Sequence, residues 1–148
     1  MIRLPKDFKE LLELLISKKI EYLVVGGYAV SFYGHPRATG DIDIWIAISK
    51  DNARKTVEAL KEFGFGVPGL EETLFMQKGK NIRMGNPPLR IELLTSIDGV
   101  EFDDCYSRKN TVTIDGIPIN FISLADLKKN KKASARFQDL ADLQYLEP

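Results

Sequence analysis

Two aspartates two residues apart, Asp41 and Asp43, stand at the head of an apolar run, Asp-Ile-Asp-Ile-Trp-Ile. Residues alternate faces along a strand, so Asp41, Asp43 and Trp45 share one side, and Ile42, Ile44, Ile46 and Ile48 share the other. The isoleucine side suits a buried sheet. Two acids side by side do not. Like charges in contact repel and shift each other's pKa, so such a pair usually takes a cation or shares a proton. Asp41 and Asp43 are hard oxygen ligands of the kind that hold one or two Mg²⁺ ions. The same spacing also fits a solvated strand edge with two surface aspartates. A third carboxylate on an adjacent strand would complete a two-metal site, with ions about 3.5–4 Å apart clamping the attacking and leaving oxygens. Glu92 sits mid-strand on a polar face and offers that ligand. It equally fits an exposed strand residue paired with Arg90 or a neighbour.

A second candidate lies just upstream. Gly26-Gly27 closes the apolar run Ile20 to Val25 and precedes a short helical stretch. A strand that ends in two glycines lets backbone N–H groups approach an anion, and the helix N-terminus adds a favourable dipole. Paired glycines also serve tight turns with no ligand at all. The full dinucleotide-binding glycine spacing is absent, and so is the Gly-Lys-Ser/Thr of a phosphate-binding loop.

The elements that must position these residues follow from periodicity. Phe8, Leu11, Leu12, Leu14, Leu15 and Ile16 form one helical stripe. Ile20 to Val25 predicts a central strand, Tyr28 to Tyr33 a short helix, Asp41 to Ile48 a second strand, and Ser49 caps a helix to about Phe63. Thr73 to Gln77 and Asn81 to Met84 read as short strands around Lys78-Gly79-Lys80. Leu89 to Leu94 reads as another strand, and Val100 to Lys109 as helical or irregular. Asp115-Gly116 between two apolar runs is a hairpin signal. Helices are expected over Leu124 to Ser134 and Phe137 to Leu146, the latter with Leu140, Leu143 and Leu146 inward. The expected class is α/β with α+β character, a small mixed β-sheet flanked by helices. One domain is expected over 1–148: an N-terminal helix to 19, a core over 20–122 and a helical tail over 123–148.

Composition narrows the chemistry. The 148 residues carry 21 Lys plus Arg against 21 Asp plus Glu, so no global basic field argues for non-specific nucleic-acid binding. Cys105 is the single cysteine and His35 the single histidine, which excludes an intrachain disulfide and multi-His zinc sites and leaves little room for a Ser-His-Asp triad. The first residues carry charges where a signal peptide has an apolar core, and the uncharged run Tyr22 to Pro36 is short for a membrane span. A cytoplasmic chain with no membrane partner is expected.

Val25-Gly26-Gly27, followed by Arg37-Ala-Thr-Gly-Asp41-Ile-Asp43-Ile, resembles the signature of the polymerase-β-like nucleotidyltransferase superfamily. There a strand ends in Gly-Gly or Gly-Ser, a short helix follows, and the next strand carries Asp-x-Asp. Ala133 to Leu143 resembles the tail of its minimal bacterial branch, which includes nucleotidyltransferase toxins of the AbiE abortive-infection type. The resemblance spans Ile20 to Leu146. It implies a polymerase-β-like core that moves a nucleoside monophosphate from an NTP to an acceptor hydroxyl. The acceptor would be RNA, tRNA, a protein or a small molecule. It further implies that Gly26 and Gly27 cradle the triphosphate, and that Arg37 and Thr39 face the nucleotide. Lys131 and Arg136 would contact phosphate. Asp41, Asp43 and Glu92 would be the catalytic, metal-binding acids, holding two Mg²⁺ ions with Mn²⁺ as the alternative. A toxin–antitoxin setting, with an antitoxin partner or a homodimer completing the acceptor surface, is part of the same implication.

Two departures from that pattern support a competing expectation, a nucleotide-binding module with weak or lost catalysis. Glu92 stands where members usually carry Asp, and Tyr28 stands where a serine often follows the glycine pair. The remaining charged residues have plainer expected roles. Lys128, Lys129 and Lys132 fit a solvated helix face, Asp139 and Asp142 fit helix caps or partners of Arg136, and His35 fits a structural place in a loop. Trp45 fits either a place beside the site or the core.

Overall fold

The computed structural model describes residues 4–34, 40–85 and 89–146. Arg37, Thr39 and His35 lie outside them. Six strands form one sheet: β1 (Tyr22–Val25), β2 (Asp41–Ile46), β3 (Asn81–Met84), β4 (Arg90–Leu94), β5 (Asn110–Ile114) and β6 (Ile117–Phe121). Their spatial order is β3-β4-β2-β1-β6-β5. The β4–β2 and β1–β6 pairs are parallel and the other three are antiparallel, so the sheet is mixed, as the periodicity predicts.

Register explains why this sheet has one dry face. Val24 pairs with Ile44, and Ile44 with Leu93; Ile42 pairs with Ile91. Side chains opposite one another in register share a face, so Tyr22, Val24, Ile42, Ile44, Ile46, Ile91 and Leu93 form one continuous buried layer. Helix α1 (Lys6–Ser17) adds Phe8, Leu11, Leu12 and Leu15 to the core. Helix α2 (Gly26–Tyr33) stacks Phe32 on Phe121 at 4.6 Å, and Phe8 meets Tyr28 edge-on at 5.7 Å. Helix α3 (Lys50–Phe63) is capped at its start by the Ser49 side chain and closed by Gly64 at φ 103°.

The opposite face is divided. Trp45 is buried there against Phe102 of α4 (Phe102–Ser107), edge-on at 5.1 Å, so it belongs to the core. Asp41, Asp43, Arg90 and Glu92 occupy the other end of the same face. Helix α5 (Leu124–Ser134) and helix α6 (Phe137–Leu146) close over that end, packing on one another and on α2.

Three expectations are corrected. Residues Glu72–Met76 form a 3-10 turn where Thr73 to Gln77 was expected to be a strand. Leu74 N–H bonds back to the Glu71 carbonyl at 3.1 Å and Phe75 is buried as an anchor, so the local bond wins over a ladder bond. The strands at Ile20 and Asp41 are each two residues shorter than the apolar runs that announce them. Leu140 is exposed, because the inward face of α6 is taken by Asp139, Asp142, Leu143 and Leu146 at helical spacing. The Asp115-Gly116 hairpin forms as expected, with both residues at positive φ, 52° and 78°. Among the described residues, no helix is long and apolar enough to cross a membrane.

Asn52 ties the layers together. Its amide oxygen accepts from Glu21 N–H at 2.8 Å, and its amide nitrogen donates to the Glu21 and Ala47 carbonyls at 3.1 and 2.9 Å. The side chain is buried, and its bond to the Ala47 carbonyl lies in the interior. Asn52→Ala removes all three bonds, while the Glu21 carbonyl keeps the Ala47 N–H, and chemical denaturation is expected to show about 1–3 kcal/mol less stability. Asn52→Asp, which keeps the acceptor and loses both donors, should also be destabilised.

Candidate active site

The site is built on one line drawn across four strands. Val25 pairs with Asp43, Asp43 with Glu92, and Glu92 with Arg83, from β1 through β2 and β4 to β3. Two residues along, Asp41 pairs with Arg90. Paired residues point the same way, so both acids on the first line face one cleft. That cleft measures about 560 Å³, and Gly26, Gly27, Asp41, Asp43, Arg83, Glu92, Lys131 and Arg136 all line it. Every described residue that the sequence pointed to for metal or phosphate is therefore brought to one place.

Gly26 is where the chain leaves the sheet. It has φ +65°, a left-handed conformation that favours glycine, and a Cβ there would run into the Asp43 carboxylate. The backbone of the β1–α2 turn is thus packed directly over Asp43. Helix α2 begins at this glycine with no side-chain cap from Val25, and Val25, Gly26 and Gly27 line the cleft, where a helix N-terminus favours an anion.

Charge in the cleft is uneven. Burial, then repulsion from Glu92 and Asp41, pushes Asp43 up from 3.8 to about 6. Lys131 opposes this only weakly. Each outer acid has a basic neighbour: Glu92 Oε2 accepts from Arg83 Nε at 2.9 Å and from Asn81 Nδ2 at 3.2 Å. Arg90 holds Asp41 through Nε and a terminal nitrogen at 3.3 and 3.4 Å. Glu92 is therefore paired with Arg83 and not with Arg90. Among the described residues, no three acids, histidines or cysteines are drawn together to metal-ligand distances. The donor set still fits a hard divalent cation. It consists of carboxylates only, on adjacent strands in register, and the proton affinity of its central member is raised by burial and then by repulsion that a cation would relieve.

The helical tail supplies a second, buried charge cluster. Lys131 is 6% exposed, and its Nζ lies 3.1 Å from both Asp139 and Asp142. Arg136 sends its Nε to Asp139 at 2.8 Å, and its backbone N–H bonds to the same carboxylate at 3.1 Å, which starts α6. These bonds to Arg136 and Lys131 hold Asp139 down at about 2. Asp139 thus has both roles expected of it, cap and partner, while Asp142 takes Lys131 and accepts from Gln138 at 3.0 Å. The ammonium of Lys131 is consumed by two acids, so it acts on the cleft through its field and through the placement of α6. The Arg136 side chain is 77% exposed and can turn outward to an anion. Lys129 and Lys132 are exposed, as a solvated face requires.

Arg83, Asn81 and Arg90 were missed as site residues. The signal for the first two was the pair of polar residues two apart in Asn81-Ile-Arg83-Met. It becomes informative only once β3 is known to pair with β4 so that Arg83 meets Glu92.

No protein-family model matches the chain, and no curated protein sequence matches it. Among solved structures, a crystal structure described as a "putative nucleotidyltransferase" from Thermotoga maritima matches with a TM-score of 0.61. The match covers 92% of this chain and 87% of that one, at 17% identity. The two share a fold. The α/β expectation is met, with a six-stranded mixed sheet and flanking helices in a fold shared with that neighbour.

Two charge changes are expected to act in opposite directions. Asp43 binds its proton more tightly in the folded state than in the unfolded state, so the fold loses stability as pH rises from about 4 to about 6. In chelator-treated buffer, Asp43→Asn should therefore stabilise the protein above pH 6, by on the order of 2 kcal/mol, with the gain fading towards pH 4. Denaturation midpoints at pH 4 and pH 7.5 test this, and a pH-independent difference would contradict it. Lys131→Met removes the ammonium that buried Asp139 and Asp142 share, leaving Arg136 as the cation on Asp139. It should destabilise by about 3–5 kcal/mol, read in the same experiment.

Proposed function

We propose that the chain is a metal-dependent nucleotidyltransferase that moves a nucleoside monophosphate from an NTP to an acceptor hydroxyl and releases pyrophosphate. The observation that carries this reading is the packing of Gly26 onto Asp43, which places the N-terminus of α2 beside a partly buried acidic pair in one cleft. Phosphoryl transfer asks little covalent chemistry of a protein and much positioning and charge neutralisation.

The residues divide that work. The backbone of Gly26 and Gly27, with the first turn of α2, binds and orients the triphosphate. Asp41, Asp43 and Glu92 hold Mg²⁺ or Mn²⁺, which when bound polarises the reacting phosphate and lowers the acceptor hydroxyl's pKa. Glu92, the acid on the adjacent strand, helps take the proton of the attacking hydroxyl. Arg136 offers an outward cation at the cleft rim for a phosphate. Arg37 and Thr39, which precede the acids in sequence, belong to the same nucleotide-facing segment on this reading. The acceptor is RNA, tRNA, a protein or a small molecule. The resemblance to minimal bacterial toxins supports a toxin–antitoxin setting, in which an antitoxin or a second copy covers the cleft.

A second reading is favoured by one contact. Glu92 is held by Arg83 and Asn81, and a module that had lost catalysis could keep it so. Incubating the chain with each labelled NTP, Mg²⁺, total RNA and total protein separates the two. Transfer of label to one fraction, lost by at least about a hundredfold in Asp41→Asn with Asp43→Asn while the fold survives, is expected. NTP binding without transfer to either fraction would favour the binding module. Transfer at the unaltered rate in the double variant would remove these acids from the site.

A further inference from the structure

Arg83 is the residue whose place the proposed chemistry does not explain. It lies on β3, a four-residue strand at the sheet edge, with its side chain 66% exposed, yet its guanidinium turns inward to Glu92, which is 18% exposed. It lines the same cleft as Asp41 and Asp43, and its hydrogen bond to Glu92 holds its proton more firmly than usual. The guanidinium thus sits where a divalent cation would find one of its ligands. Only one of its nitrogens is used, Nε to Oε2 at 2.9 Å, and Asn81 reaches the same oxygen. A single ion pair at a half-open edge is worth little in water, so it can be broken by a cation of higher charge. A guanidinium released at the cleft has five N–H donors in a fork that matches phosphate oxygens.

We propose that Arg83 is a two-position residue. Without a divalent cation it neutralises Glu92, and when a cation occupies the carboxylates it transfers to the polyphosphate tail of the nucleotide. This rests on the nucleotidyl-transfer reading of the cleft. It assigns to the exposed side of β3, an edge strand whose Ile82 and Met84 serve the core, the task of coupling cation arrival to nucleotide capture. Arg83 competes with the cation for one ligand and cooperates with it in holding the phosphates, so removing it changes the two affinities in opposite directions. A merely structural arginine would not do that.

Calorimetric titration of the full chain tests the idea, first with Mn²⁺ alone and then with the Mn²⁺ complex of inorganic tripolyphosphate. Arg83→Gln is expected to bind Mn²⁺ alone about threefold more tightly, because a competing ion pair is gone. It is expected to bind Mn²⁺–tripolyphosphate about tenfold more weakly, because a charge-assisted contact is gone. Arg83→Lys, which keeps the charge and loses the fork, should fall between the wild type and Arg83→Gln in both titrations. An unchanged melting temperature confirms that the exposed edge position tolerates both. The proposal is overturned if Arg83→Gln binds Mn²⁺ no more tightly, or binds the polyphosphate complex as well as the wild type does. If the wild type itself binds neither Mn²⁺ nor the complex at millimolar concentration, the nucleotidyl-transfer reading falls, and this proposal falls with it.

Discussion

Two carboxylates face one another across a parallel strand pair, and much of the surrounding structure serves to make that tolerable. Asp43 and Glu92 are register partners, so their backbones hold them together whatever their charges prefer. Burial deprives Asp43 of the water that would screen the repulsion. The molecule answers by flanking the pair with cations. Arg83 takes Glu92 on one side, Arg90 takes Asp41 two residues along, and the field of Lys131 reaches Asp43 from the helical tail. None of these neutralises Asp43 by direct contact, and its proton affinity remains high. A folded chain gains nothing in stability from such a group.

The helical tail is the second half of the same solution. Lys131, Asp139 and Asp142 form a buried cluster whose charges nearly cancel, and Arg136 completes it from the exposed side. Ion pairs this deep are weak sources of net stability, because desolvation offsets much of the attraction. They are sensitive to geometry instead. The cluster joins the end of α5 to the start of α6, next to the Gly26 turn. It therefore fixes where two helix ends stand relative to the acids, as apolar packing alone would do less specifically.

Much of this was legible in the sequence, for physical reasons. The Asp41–Asp43 alternation needs only the pleat of a strand, and Gly26 needs only its lack of a Cβ. The Asp115-Gly116 turn carries its own backbone preference. What escaped prediction depended on register. Nothing local says that Arg83 lies opposite Glu92, or that Arg90 meets Asp41 and leaves Glu92 alone, because those pairings are set by which strand lies beside which. The 3-10 turn at Glu72–Met76 escaped for a related reason, since a short apolar run becomes a strand only where a neighbour is free to pair with it. The exposure of Leu140 escaped because two aspartates took the inward positions that hydrophobicity would have given to leucine.

The parallel pairing of β2 with β4 has a kinetic consequence. Two parallel neighbours cannot be joined by a tight turn, so the chain between them must cross over, and here it carries α3, the 3-10 turn and β3. Asp43 and Glu92 therefore meet only after a long excursion has folded and docked, and contacts of such sequence separation form slowly. The first two strands and the glycine turn are local enough to assemble early on a nascent chain, but they hold only part of the acidic set. The cleft is therefore complete only once β4 has docked on β2, which makes it one of the parts of the fold most dependent on long-range contacts.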